Sequence, residues 1–217
     1  DAGMAVILFT CIVKLILFPL SQKAIKNQLA LKDIQPHMDK IKDDHPTDKQ
    51  AQSLKTLALY KEKGVNPFSS IILLVIQIPI IFALYWVFQA VSTGVQVNDL
   101  YSFVHAPDHI NTVFLGLFDI TKNSPLVLAI IVGLSQFFQA YLTLPKTDKN
   151  APKKEGKPSF QAELGKSMGV QMKYILPIFT FFISRSFSSA LSLYWITSNL
   201  FAIGQELYVR RTRDVIK

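Results

Sequence analysis

The sequence predicts an all-α polytopic membrane protein with five transmembrane helices and a cytoplasmic helical hairpin. Three observations lead to this fold class. Half of the 217 residues are hydrophobic and only 18% are charged, against about a quarter in a soluble domain. Several apolar runs are long enough to cross the hydrocarbon core of a bilayer, which is roughly 30 Å thick. The basic residues behind the net charge of +8 are concentrated in alternate loops between these runs.

Three apolar runs define the first three predicted spans. The first covers residues 4–20 and is interrupted only by Lys14. The second covers residues 67–91 and the third covers residues 124–144, and neither contains a charged residue. At a rise of about 1.5 Å per residue, each run is long enough to cross most or all of the hydrocarbon core as an α-helix.

The last apolar block, residues 174–205, is too long to cross the bilayer as one helix. It contains one internal charge, Arg185. A turn at residues 185–189 therefore divides it into two spans. We expect the fourth span at 170–184 and the fifth at 189–208. Lys173 lies near the start of the fourth span, where its ammonium group can extend to the membrane surface.

The distribution of basic residues orients these spans. Residues 21–66 carry nine lysines, residues 145–172 carry six, and the C-terminal tail carries four basic residues. In contrast, residues 92–123 carry only Lys122, and the last predicted turn carries only Arg185. Nineteen basic residues against two, in alternate loops, match the positive-inside rule. The sequence therefore predicts an external N-terminus and a cytoplasmic C-terminus.

The cytoplasmic segment 21–66 has the pattern of a helical hairpin. Its first helix is predicted by apolar residues at helical spacing, namely Leu31, Ile34, Met38 and Ile41. We expect a turn at 43–46 and then a second helix with a capping box formed by Thr47 and Gln50. Gly64 is placed to end that second helix. A plain charged linker is the alternative.

Two other loops complete the predicted organisation. Residues 92–123 form the external segment between the second and third spans. Residues 145–169 are rich in Lys, Pro and Gly, which predicts a flexible cytoplasmic loop. The first residue is aspartate rather than methionine, so we expect an upstream segment in the full protein.

Signatures of enzymes and bound cofactors do not occur in the sequence. It contains no phosphate-binding Gly-rich loop, HExxH motif or GxSxG motif, so we predict no enzymatic activity, no cofactor and no metal site. His105 and His109 flank an aspartate, but an ordinary loop is the more frequent explanation. Cys11 is the only cysteine, which excludes an internal disulfide. Basic residues alternate with acidic ones, which argues against recognition of a specific nucleic-acid sequence.

Lys14 is the charge that most needs an explanation. In a span over 4–20 it lies about two turns from the cytoplasmic end, where a charge costs several kcal/mol unless it faces water or a partner. One interpretation is that its side chain extends to the headgroups. The other is a water-filled cavity with Lys14 as its positive charge and Thr10 on the same helical face. No acidic residue lies midway along a span, which argues against a proton relay.

Several neutral polar residues within the spans are candidates for the same cavity. They are Gln77, Gln136, Gln139, Thr197 and Asn199. Each could alternatively form hydrogen bonds between helices, which is common in membrane proteins.

A series of short motifs follows one order along the chain. They are TCIVK at 10–14, FPL at 18–20, IQP at 34–36, ALYK at 58–61, VNP at 65–67, IQIPI at 76–80, ALY at 83–85 and LYWITSNL at 193–200. Together they cover nearly the whole chain and resemble the YidC-type membrane protein insertases, relatives of the mitochondrial and thylakoid insertases. The resemblance implies five helices around a hydrophilic groove that is closed outside and open to the cytoplasm and the lipid.

The resemblance also implies roles for individual residues. In bacterial members the groove usually carries an arginine, and Lys14 occupies that position in this sequence. Lysine keeps the positive charge but lacks the planar fork that binds a carboxylate through two hydrogen bonds. Thr10, Gln77, Tyr194 and Trp195 correspond to groove or substrate positions, and Asn199 joins them as a polar residue of the last span.

The expected function is membrane protein insertion. Nascent membrane proteins would enter the positively charged groove and leave sideways into the bilayer. The expected partners are these substrates and the lipid, with the ribosome, targeting factors and a Sec-type translocon as further candidates. The expected location is the plasma membrane of a bacterium. The alternative is a small transporter or channel with a lysine-lined cavity, but the internal repeats or paired broken helices that favour one are not found.

Overall fold

A computed structural model describes residues 1–66, 69–93, 110–143 and 171–216 of the chain. Within these ranges the chain is mostly helical. It divides into two compact units. The large unit consists of Asp1–Ile16 and Ile81–Leu207, and the small unit consists of Leu17–Ile80 and Tyr208–Lys217.

Eight α-helices and a pair of short strands make up the described ranges. The first five helices are α1 (Ala2–Ile16), α2 (Phe18–Asp33), α3 (Gln35–Asp44), α4 (Lys49–Glu62) and α5 (Ser69–Thr93). Strands β1 (Val113–Phe114) and β2 (Phe118–Asp119) precede α6 (Leu126–Thr143). A π-helical turn (Gln171–Ile175) leads into α7 (Leu176–Ser186), and the last helix is α8 (Ser189–Ile216).

The first predicted span, residues 4–20, differs from the structure. Helix α1 ends at Ile16, and Leu17 separates it from α2, which has Pro19 in its first turn. Proline has no N–H to donate to the preceding turn, and its constrained φ suits the start of a helix. The apolar run therefore covers one helix and the beginning of the next.

The other predicted helix bounds lie closer to the observed ones. The break predicted at 185–189 is observed between α7 and α8, where Phe187 adopts an extended conformation. Helix α8 continues to Ile216, beyond the predicted end at 208, because the basic tail remains helical.

Length and hydropathy single out one helix among the described residues. Helix α6 is by itself long and apolar enough to cross a membrane. Helices α1 and α2 pass the same test only when taken together as a broken pair, and Val75–Val87 of α5 is a shorter apolar stretch. The count of five membrane spans therefore stays a prediction.

The large unit contains a β-hairpin, which is an exception to the predicted all-α fold. Val113 pairs with Asp119, and Phe114 pairs with Phe118. The connecting turn has positive φ at Leu115 (+47°) and at Gly116 (+75°), a combination typical of the tight turns of hairpins.

Helix α1 is tied to this hairpin at its first turn. The Asp1 carboxylate accepts hydrogen bonds from the backbone N–H groups of Gly3 (2.8 Å) and Met4 (3.2 Å), and so caps the helix. The backbone N–H of Ala2 donates to the carbonyl of Asn111 (2.9 Å). Gly3 lies against the Phe114 ring so closely that a Cβ atom would stand 2.4 Å from its Cδ2 atom.

Helices α6 and α7 pack closely against each other in the large unit. Gly133 of α6 faces the start of α7, where an added Cβ would lie 3.3 Å from the carbonyl oxygen of Pro177. A small residue lets two helix backbones approach in this way, as is common between membrane helices.

The small unit contains the predicted helical hairpin. Its apolar core is formed by Ile34, Leu59 and Val65, with Ala30, Leu31, Met38, Ile41 and Tyr60 packed around them. The predicted capping box is wrong in its residues, because Asp48 rather than Thr47 caps α4 by accepting from the N–H of Ala51 (2.9 Å). Aspartate is among the best residues at this position, and here it lies one residue nearer the helix.

The end of α4 confirms the predicted role of Gly64. This glycine has a φ of +62°, and its N–H donates to the carbonyl of Lys61 (3.2 Å). The N–H of Val65 donates to the carbonyl of Tyr60 (3.0 Å), and the two bonds form a Schellman motif. Asn27 of α2 then holds the following segment by accepting from the N–H of Asn66 (2.9 Å).

Some predictions fall outside the described residues. They are the flexible loop at 145–169, residues 94–109 of the external segment, and the pair His105 and His109.

Candidate functional site: the polar interior of the large unit

The large unit buries polar side chains beside apolar ones and exposes large apolar side chains on its outside. In α1, Thr10 is fully buried, whereas Leu8 is 59% exposed and Ile12 is 55% exposed. In α7, Ser184 is fully buried, whereas Phe182 is 62% exposed. Buried polar side chains and exposed large apolar side chains are both uncommon in soluble proteins. Apolar outer faces are what lipid requires of a helix, and polar interior faces are where membrane proteins place functional groups.

The buried polar side chains of this unit come from α1, α6, α7 and α8 and from the segment before α6. They are Thr10, Ser124, Ser135, Thr180, Ser184, Ser189, Ser192, Ser198, Asn199, Gln205 and Glu206. Within the described residues none of their buried side-chain polar atoms lacks a hydrogen-bond partner. The interior of this unit therefore contains hydrogen-bonded polar side chains beside buried apolar ones such as Ile120, Ala129 and Val132.

Lys14 lies in the last turn of α1 and is half-buried. Since α1 ends at Ile16, Lys14 is two residues from the end of its helix, closer than the two turns predicted from a span over 4–20. A positive charge in the last turn interacts favourably with the helix dipole, which lowers the cost of placing it there. Both interpretations of Lys14 accommodate this position.

Thr10 and Tyr194 lie inside the protein. The Thr10 hydroxyl donates to the carbonyl of Val6 in its own helix (2.6 Å), and Tyr194 is 2% exposed. Trp195, the next residue of α8, is half-buried. The predicted contacts of these three residues with substrate stay predictions.

Asn199 joins α8 to α6. Its side-chain amide donates to the Ser135 hydroxyl (3.1 Å) and to the Gln136 side-chain oxygen (3.2 Å). The chain of bonds continues along α6 from Gln136 to Gln139 (3.3 Å) and from Gln139 to Thr143 (3.4 Å). The alternative that Asn199 and Gln136 form hydrogen bonds between helices is thus observed.

A serine cluster near the α7–α8 turn was not predicted. The Ser192 hydroxyl hydrogen-bonds to those of Ser184 (2.7 Å) and Ser124, and the Arg185 guanidinium donates to the carbonyl of Ser124. Ser189 donates its N–H (2.7 Å) and its hydroxyl (3.0 Å) to the carbonyl of Lys122. The signal in the sequence was the run of serines between two apolar blocks.

Gln77 belongs to the small unit and is half-buried, and its place in a groove stays a prediction. Within the described ranges, no three His, Cys, Asp or Glu side chains are grouped so that they could hold a metal ion. Cys11 is a half-buried free thiol.

The exposed apolar faces and the buried polar groups fit a helical membrane protein. The family model of the 60Kd inner membrane protein matches residues 1–215. The chain therefore belongs to this family, the YidC family, as the motifs predicted.

Curated relatives include the membrane protein insertases YidC of Francisella tularensis subsp. novicida (strain U112) and of subsp. holarctica (strain LVS). Each is 31% identical to this chain over 210 residues, which are 96% of this chain and 32% of the relative. The chain thus spans about a third of the length of these relatives.

Proposed function

We propose that this chain is a membrane protein insertase core, which accepts segments of nascent membrane proteins and releases them sideways into the bilayer. The observation that carries the proposal is that the large unit buries many hydroxyl and amide groups while it exposes large apolar side chains on its outer surface. The names of the relatives support the same activity.

Bilayer energetics explain how such an interior acts. Moving a charged residue across the hydrocarbon core costs several kcal/mol. Polar groups inside the protein shorten the distance over which that residue is surrounded by hydrocarbon. The half-buried Lys14 attracts acidic residues of the translocated segment. Apolar segments then move into lipid, because burial of apolar surface contributes about 25 cal/mol per Å². This sequence of events needs no nucleotide.

The proposed substrate groove contains Lys14, Thr10, Gln77, Tyr194, Trp195 and Asn199. It is hydrophilic and open to the cytoplasm and to the lipid. Thr10 and Tyr194, both buried in this structure, become accessible when the interior opens around a substrate. Asn199 exchanges its bonds with α6 for bonds to the substrate, since an amide both donates and accepts.

The proposed setting is the inner membrane of a bacterium, with the N-terminus outside and the C-terminus in the cytoplasm. Nascent membrane proteins and lipid are the partners. The ribosome, targeting factors and a Sec-type translocon are further candidates, which the lysines of the cytoplasmic hairpin are suited to bind.

Insertion into vesicles tests the proposed function. A single-span substrate is synthesised in vitro with lipid vesicles that contain this protein, and insertion is measured as a protease-protected fragment. We expect more protection than in protein-free vesicles, and none for a matched substrate with two charges in the middle of its apolar segment. Equal protection in protein-free vesicles would contradict the proposal.

A further inference from the structure

The tip of the β-hairpin exposes large apolar side chains. Leu115 is 63% exposed and Leu117 is 75% exposed, and they flank Gly116. We call residues 115–117 the hairpin tip. Val113 on the adjacent strand is also exposed, at 40%. Two leucines at the end of a hairpin are unusual for a turn in water, where Gly, Asn and Asp are the common residues.

Leucine is also conformationally costly at one of these positions. Leu115 has a φ of +47°, a region in which only Gly, and less often Asn or Asp, is readily accommodated. A polar Asn would relieve this cost and would be better solvated. An apolar side chain kept at a strained position indicates an environment that compensates for it.

The position of the tip identifies that environment. The N–H of Leu115 donates to the Asp1 carboxylate (2.9 Å), so the tip lies beside the first turn of α1. The outward face of α1 continues from there with Met4 (40% exposed) and Leu8 (59% exposed). The tip is therefore adjacent to the apolar surface that α1 presents to lipid.

The opposite end of the hairpin is polar. Lys122 is 79% exposed and interacts with the Asp119 carboxylate at 3.7 Å. The hydroxyl and the N–H of Thr121 donate to the same carboxylate (2.7 and 3.0 Å) and hold the pKa of Asp119 below its usual value. This charged end leads directly into α6, which begins at Leu126.

We propose that the hairpin tip inserts into the lipid leaflet that surrounds the start of α1. The leucines enter the region between headgroups and acyl chains, as the apolar faces of interfacial segments do. Through the bonds of Asp1 and Ala2, the inserted tip holds the first turn of α1 at a defined depth. It therefore also sets the depth of Thr10 and Lys14 on the same helix. This inference rests on the membrane location and not on the insertase activity.

Fluorescence quenching tests the inference. A Cys11→Ser, Leu117→Cys variant is labelled with the polarity-sensitive dye NBD and reconstituted into phosphatidylcholine–phosphatidylglycerol vesicles. The control carries NBD at Lys122→Cys in the same background. At 117 we expect blue-shifted emission, with stronger quenching by a lipid that carries a doxyl group near its headgroup than by aqueous iodide. At 122 we expect the reverse order.

Two results would overturn the inference. One is emission at 117 that matches position 122 and is quenched mainly by iodide, which shows a tip in water. The other is shielding at 117 from both quenchers, which shows that protein covers the tip. Val113→Cys gives the same comparison from the strand if the label at 117 lowers the melting temperature.

In addition, Leu115→Asn should preserve or raise thermal stability in detergent while it reduces lipid quenching at 117.

Discussion

Lys14 and its neighbours show how a charge is accommodated at the end of an apolar helix. The helix ends two residues later, and the lysine is half-buried within a unit that also buries hydroxyl and amide groups. Both features reduce the cost of the charge. Its function can then be examined by changing the charge at position 14 alone.

Substitutions of Lys14 should affect substrates according to their charge. Lys14→Arg should retain insertion, because the positive charge and approximate reach survive. Lys14→Glu should slow the insertion of substrates with acidic translocated tails by roughly thirtyfold, since attraction of about 1 kcal/mol becomes repulsion of similar size. Insertion of substrates with zero, one and two acidic tail residues measures this dependence.

Lys14→Gln is the control for the charge itself, because it keeps a polar side chain and adds no negative charge. It should fall between the wild type and Lys14→Glu. If Lys14 only extends to the headgroups, all of these variants insert every substrate equally well. Full activity of a well-folded Lys14→Glu variant at each tail charge would therefore refute the role of Lys14.

Two glycines of the large unit should respond in opposite ways to the same substitution. Gly3→Ala places a Cβ 2.4 Å from the Phe114 ring and 3.0 Å from its Cβ, so the contact of α1 with the hairpin must shift. We expect destabilisation of about 1–3 kcal/mol. Gly204→Ala meets nothing within 4 Å and should stabilise α8 by about 0.5–1 kcal/mol. Thermal unfolding in detergent measures both, and equal melting temperatures would contradict the close contact.

At the residue scale, the sequence predicted candidate polar residues, but it left their hydrogen-bond partners open and missed the serine cluster. The choice between a cavity and helix-to-helix bonds for Asn199 depends on which residue faces it, and Ser135 and Gln136 lie 63 residues or more away in the chain. The end of α1 at Ile16 was missed because the apolar run continues through Pro19 into the next helix. The role of Gly64 was predicted correctly, since it acts through its own conformation, whereas the cap at the start of α4 was assigned to the wrong residue.

The helical hairpin of the small unit is an element with little apolar core. Only Ile34, Leu59 and Val65 are buried in its central cluster. Few buried apolar contacts give low local stability, so we expect faster hydrogen exchange across residues 30–60 than in α6. Equal protection in the two regions would show a rigid hairpin instead.

Gly64→Ala sharpens this test at the level of the element. The φ of +62° at Gly64 disfavours any side chain, so the variant should weaken the end of α4 by about 1 kcal/mol. Exchange should accelerate in α3 and α4 and remain unchanged in α6. A uniform acceleration in both units would mean that the hairpin does not unfold as a local element.

The helices were easier to predict from sequence than the β-hairpin for a physical reason. Apolar runs and helical spacing persist over many residues, whereas each strand has only two residues and shows no alternation. The hairpin is specified instead by contacts with α1, such as the bond from Leu115 to Asp1. Contacts between distant segments leave no local pattern.

At the scale of the whole molecule, the charge asymmetry predicts the topology. With cysteines introduced one at a time into a Cys11→Ser background, His45→Cys should react with an impermeant thiol reagent only after cells are permeabilised. Lys122→Cys, whose native side chain is 79% exposed, should react in intact cells. The reverse pattern would overturn the orientation derived from nineteen basic residues against two.

The central claim is that substrates contact the polar interior of the large unit. Photo-crosslinking from a benzoyl-phenylalanine at Trp195 during synthesis of a single-span membrane protein tests it most directly. Trp195 is half-buried, and the matched control is Phe182, which is 62% exposed on the outer face of α7. We predict crosslinks from position 195 to the nascent chain, and far fewer from position 182. Insertion that proceeds without crosslinks at 195, or with equal crosslinking at 182, would contradict the account.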